Sequence, residues 1–241
     1  MGRRAKGRRA PRKQKSKSLD PDFTEDAQIL IAANVRSPRG MPNQSTMPSM
    51  KTLIFAGSTR QNSFNRKLAH AAAAQATQSG ADVTLLELAS LNIPLYNADL
   101  EAEGTPSDVI KLKEIMDSHP AWIIVSPEYN GSYTGLLKNT IDWASSPVKG
   151  HALWSDSNKP FSGKVIGLMS ASPGALGGLR ALSHLQPVLL NLQAWVCPRQ
   201  FALSHAGDAF DAEGELTKDG SRKQVQGVTD QVLWAAQRFS G

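Results

Sequence analysis

Three polar loops hold the residues of this sequence best suited to chemistry. The first is Gly57-Ser58-Thr59-Arg60-Gln61-Asn62-Ser63-Phe64-Asn65, running straight into an Ala-rich helical stretch. Hydroxyls, an amide, one guanidinium and the free backbone N–H groups of a helix N-terminus make a cradle for a phosphate dianion. The local alternative is a capped turn with Asn65 as its N-cap. A cap needs one such residue, however, and four stand here beside a cation. The loop contains neither G-x-x-x-x-G-K-[ST] nor G-x-G-x-x-G, which argues against a P-loop nucleotidase and a dinucleotide-binding Rossmann domain.

The second loop is Ser126-Pro127-Glu128-Tyr129-Asn130-Gly131-Ser132-Tyr133. A rigid proline, an aromatic, an amide and a glycine would let backbone N–H groups and a ring approach a flat heterocycle, although the same residues also make an ordinary turn. The third, Ser170 to Arg180, is a Gly-rich edge that by itself decides little. His70, His119, His151, His184 and His205 fall at no metal-ligand spacing, and Cys197 ends an apolar run, where a thiol is a buried small hydrophobe. No nucleophile, general acid or metal site is expected.

These loops need a frame. From Met50 onward short apolar runs alternate with helical patterns, the signature of βα units and a parallel sheet. Strands are expected at 51–56, 82–88, 121–125, 164–169 and 194–197, and helices at 65–79, 106–118, 135–144, 175–192 and 222–239. Pro187 should kink or divide the fourth helix. Five strands and five helices in alternation predict a doubly wound α/β three-layer sandwich. In such sheets ligands bind outside the carboxyl ends of the strands, where the winding reverses, which is where the three loops fall.

The rest of the chain narrows the function classes. A chain of 241 residues with 40% hydrophobic residues, and no stretch near the roughly 20 apolar residues of a membrane span, reads as one soluble domain with an appendage. A single cysteine excludes an internal disulfide framework and fits a reducing, cytoplasmic compartment. The net charge of +6 belongs to one end: residues 1–49 hold 11 Lys+Arg against 4 Asp+Glu, whereas residues 50–241 hold 16 against 17. The first eighteen positions carry nine basic residues and no acid, so residues 1–49 are expected to be a basic disordered extension of a domain spanning 50–241. That segment reads as an anion-binding arm, a transit peptide, or a stretch preceding a start at Met47 or Met50. No stacking aromatics are interleaved with its basic residues, so nucleic acid is not the expected partner.

Read in order, GSTRQNSFN, SPEYNGSYTGLLKNTIDW and SASPGALGGLR resemble the NADPH-dependent FMN reductase family, a flavodoxin-like group that includes chromate, quinone and azo-dye reductases. The resemblance covers roughly residues 50 to 200 and implies a five-stranded flavodoxin-like sheet with non-covalent FMN. It implies that Ser58, Arg60, Ser63 and Asn65 hold the FMN phosphate, that Pro127, Glu128, Tyr129, Asn130 and Gly131 run along the isoalloxazine and ribityl chain, and that Ser172 and Gly174 face the flavin from the next strand. NADPH or NADH would donate a hydride that passes by ping-pong transfer to a quinone, an azo compound, a free flavin or an oxyanion such as chromate. The other readings are a flavodoxin-type electron carrier and a nucleic-acid-associated protein using the basic arm. A homodimer or homotetramer is also expected, on the view that the 135–143 helix carries Trp143 to an exposed surface beside the cleft, with Trp154 in a segment too polar to cover it.

Overall fold

The computed structural model describes residues 49–155 and 159–239; apart from Ser49, the basic segment lies outside them. Among these residues the order of strands and α-helices is β1 Lys51–Ala56, α1 Phe64–Gln78, β2 Asp82–Leu86, α2 Ala98–Glu103, α3 Ser107–Asp117, β3 Ala121–Val125, α4 Gly135–Ser145, β4 Val165–Ala171, α5 Leu179–Asn191, β5 Trp195–Val196, β6 Phe201–Leu203 and α6 Asp219–Phe239. The sheet order is β2-β1-β3-β4-β5 with every pairing parallel, a flavodoxin-like doubly wound arrangement. From β1 the chain winds one way to β2 and then returns to place β3 on the other side. The loops after β1 and β3 therefore diverge at the switch point.

The central strands read as continuous apolar runs because helices cover both of their faces. Side chains alternate across the sheet. Ile54, Ile123 and Met169 pack with Leu68 and Ala72 of α1 and with Val228 and Val232 of α6. Leu53, Phe55, Trp122, Ile124 and Leu168 pack on the other face with Leu112, Leu137, Ile141 and Leu185 from α3, α4 and α5.

Two expectations are sharpened here and one is corrected. Of the kink or division expected at Pro187, division does not occur, since α5 runs through it. The expected five strands are present, but β5 keeps only Trp195 and Val196, and the edge of β4 is completed by β6, which pairs with Met169–Ala171 beyond the end of β5. Trp143 is fully buried, with Nε1 donating to the Pro94 carbonyl at 2.8 Å and Tyr96 packed edge-on at 5.1 Å. Trp154 is buried as well. The segment after β2 docks on α4, with Asn139 donating to Pro94 and accepting from the Tyr96 N–H. It supplies the cover that the 154 region was not expected to give, and it removes the aromatic argument for a subunit contact.

Beneath α4 lies one buried cation. Lys113 Nζ donates to the carbonyls of Ala144 at 2.8 Å and Ser146 at 2.5 Å, satisfying orphan acceptors at the helix end. Burial pushes its pKa down to about 8, only partly countered by Glu101.

Candidate functional site

The first loop leaves β1 at Gly57, whose N–H donates to Val125 at the end of β3. It is fixed to α4 through Thr134, whose hydroxyl donates to Gly57 O at 2.8 Å and accepts the Leu137 N–H as N-cap. Ser63, not Asn65, caps α1: its Oγ accepts the Asn65 N–H at 3.2 Å. Asn65 is buried and spans to β4, with Nδ2 donating to Ala171 O at 2.8 Å and Oδ1 accepting from Ala171 N at 2.9 Å. Both ends of this amide tie the first loop to the third, and one Nδ2–H remains for the cleft. The N–H groups of Thr59, Gln61, Asn62 and Phe64 have no protein acceptor among the described residues. The Arg60 guanidinium rests over the Phe64 ring at 5.7 Å and, among the described residues, has no carboxylate partner.

In the second loop Tyr129 and Ser132 exchange backbone hydrogen bonds at 2.8 and 3.0 Å around Asn130 (φ 52°) and Gly131 (φ 79°). Two consecutive positive φ values are the signature of a type I′ turn, which Asn-Gly adopts at least cost. The turn leaves Tyr129 58% exposed on the rim. Glu128 reaches instead to the start of α5, where one oxygen accepts both Nε (2.7 Å) and Nη2 of Arg180 and the other accepts the Arg180 N–H at 3.1 Å. Burial pushes the Glu128 carboxyl up, but the hydrogen bonds and charge of Arg180 outweigh it and hold the group below the usual carboxylate range. In the third loop Ser172 donates its N–H to Leu203 O, and its own carbonyl takes the Ala206 N–H, so β6 and the turn after it buttress this edge.

Together the loops enclose a cleft of about 350 Å³ lined by Ser58, Arg60, Ser63, Phe64, Asn65, Pro127, Glu128, Tyr129, Ala171, Ser172 and Pro173. A second cavity of about 230 Å³ opens on the other side of Tyr129, between the first loop and the start of α4. Eight expected site residues line the larger cleft. Asn130 and Gly131 form the turn beyond it, and Gly174 sits in the third loop, donating its N–H to Ser172 Oγ. Thr134, Phe64 and the Glu128–Arg180 pair were not singled out for these contacts from sequence. The 52-residue separation of that pair gives no local signal.

Fold and cleft define a flavodoxin-like protein whose three loops line a cleft at the switch point. The family model described as NADPH-dependent FMN reductase matches residues 50–208. The NAD(P)H-dependent FMN reductase of Pseudomonas aeruginosa is 37% identical over 179 residues, 73% of this chain and 90% of that protein. A 2-hydroxy-1,4-benzoquinone reductase from a Burkholderia species is 33% identical, covering 79% of this chain and 98% of its own length. Among solved structures, the flavoenzyme NAD(P)H:(acceptor) oxidoreductase FerB from Paracoccus denitrificans superposes with a TM-score of 0.68 at 28% identity, covering 79% of this chain and 98% of its own. This chain belongs to the NADPH-dependent FMN reductase family: it is an oxidoreductase that works with FMN and NAD(P)H. Among the described residues, no helix is long and apolar enough to cross a membrane.

Proposed function

We propose that the three-loop cleft holds FMN non-covalently, phosphate toward Ser58, Arg60, Ser63 and Asn65, and that NAD(P)H and a small acceptor use its open side in turn. The observation that carries this reading is the donor set at the start of α1. Unpaired N–H groups, two hydroxyls and a guanidinium converge there, while the carboxylate lining the cleft, Glu128, is neutralised by Arg180. The free charge of the cleft is thus the cation of Arg60, which suits a terminal phosphate.

Bound FMN supplies the hydride chemistry between the reduced nicotinamide and the acceptor. The protein's part is to hold and orient. We assign Pro127, Glu128, Tyr129, Asn130 and Gly131 to the ring and ribityl side, and Ser172 and Gly174 to the facing edge. Glu128 holds its loop against α5 through Arg180, and Tyr129 stands on the rim where substrates enter. One open side serves both substrates, so ping-pong kinetics follow.

Quinones are the first acceptor class, supported by the names of the relatives, with azo compounds, free flavins and oxyanions such as chromate as further acceptors. Cys197 is buried and its thiol is pushed up to about 11 by burial, so it stays protonated and inert, in keeping with a cytoplasmic enzyme. We retain a homodimer or homotetramer, now with exposed Leu95 and Tyr96 beside α4 as the apolar surface. Residues 1–49 are assigned no part in the site. Steady-state rates with NADPH and a benzoquinone should give parallel double-reciprocal lines, and heat-released cofactor should run as FMN on chromatography. Intersecting lines would remove the shared site, and release of FAD would remove the phosphate assignment.

A further inference from the structure

Arg66 lies in the first turn of α1, just beyond the residues assigned to the phosphate. Its Nη2 pairs with Glu87, just past the end of β2, at 2.9 Å, and its Nη1 donates to the main-chain carbonyls of Arg60 and Gln61, each at 3.5 Å. The Arg60 carbonyl also takes the Ser63 N–H at 3.1 Å. Among the described residues the buried Nε of Arg66 has no acceptor, and the partners of this guanidinium are Glu87 and the two carbonyls. No peptide bond among the described residues is cis. In a planar trans unit the N–H points opposite to the C=O of the same unit. Drawing Arg60 O and Gln61 O toward Arg66 therefore turns the N–H groups of Gln61 and Asn62 to the opposite side of the loop. Those two N–H groups have no acceptor among the described residues. Adjacent N–H groups presented in this way form a concavity that binds anions.

We infer that Arg66, held by Glu87, is a positioning residue that fixes the Arg60–Asn62 peptides for the flavin phosphate. It acts through the backbone, because its own charge is taken up by Glu87. This rests on the phosphate assignment made above. It also explains why a cation directly after the cradle is directed to carbonyls and not left free for the ligand.

The test is flavin quenching titration of the full-length apoprotein with FMN and with riboflavin, which lacks the phosphate. In Arg66→Met the Kd for FMN should rise about tenfold or more while that for riboflavin stays within about twofold, the size expected for losing charge-assisted hydrogen bonds at one group only. An equal loss for both flavins would mark Arg66 as merely structural and overturn the inference. Glu87→Met separates orientation from charge. Freeing Arg66 from its anchor should weaken FMN binding, whereas tighter FMN binding would show that Arg66 acts as a plain charge and would also overturn it. The parent reading fails differently, since there the wild-type protein itself would bind riboflavin as tightly as FMN.

Discussion

Replacing Asn65 by Leu tests how the cleft is held together. The side chain is 4% exposed and makes two hydrogen bonds, of 2.8 and 2.9 Å, to the N–H and C=O of Ala171, itself 4% exposed. Leucine keeps the approximate shape and strands both main-chain groups. A buried polar group left without its partner costs about 1 to 3 kcal/mol, so two give about 2 to 6 kcal/mol. Ala171 lines the cleft, where water can reach part of it, and the lower half of that range, about 2 to 4 kcal/mol, is expected. Asn65→Asp differs in kind. It keeps an acceptor for the Ala171 N–H, turns an oxygen toward the Ala171 carbonyl and adds a negative charge beside the phosphate cradle. Its stability loss should be smaller than that of Leu and its loss of FMN affinity larger. Urea unfolding of the flavin-free proteins, followed by tryptophan fluorescence, gives the first quantity, and FMN titration gives the second. A Leu variant within about 0.5 kcal/mol of wild type would refute the latch.

Three further outcomes follow from the packing. Lys113 has a folded pKa of about 8, below its ordinary 10.5, so between those values the unfolded chain binds more protons and this group makes stability rise with pH; below pH 8 its penalty stands in full. Between pH 7.5 and 10 the rise should be about 2 kcal/mol and should vanish in Lys113→Met, as read from denaturant midpoints at those two values. Gly178 has φ 90°, and a Cβ there would lie 1.8 Å from Ser170 Oγ, so Gly178→Ala should destabilise by at least about 2 kcal/mol, with partial recovery on adding Ser170→Gly. An unchanged midpoint in the single variant would contradict the crowding. Trp143→Phe should cost about 1 kcal/mol through the lost bond to Pro94 and leave the oligomeric state untouched, whereas dissociation of subunits in light scattering would restore Trp143 to an interface.

The sequence displayed most of this fold because the relevant signals are local. β3 falls at Ala121–Val125 as its continuous apolar run predicts, and the Asn130–Gly131 pair announces a turn whose residues are fixed by φ. What stayed hidden depends on partners distant in the chain. Phe201–Leu203 is too short to show a period and is a strand only because β4 offers an open edge there. Burial of Trp143 depends on the Pro94 carbonyl, 49 residues upstream, in a segment without regular structure. That the three loops meet at one cleft was legible from composition and position. The lacing of Asn65 to Ala171 and of Glu128 to Arg180 was not, because an Asn near a helix start reads first as a cap and a Glu in a turn reads as surface.

We hold that this cleft carries FMN reducible by NAD(P)H. Anaerobic titration of the reconstituted full-length protein with NADPH, followed at the oxidised-flavin absorbance band, tests it most directly. About one equivalent of NADPH per bound FMN should bleach the band, since one hydride carries two electrons, and a benzoquinone should then restore it. A protein that stays colourless after incubation with FMN, or a bound flavin that excess NADPH leaves yellow, would contradict it.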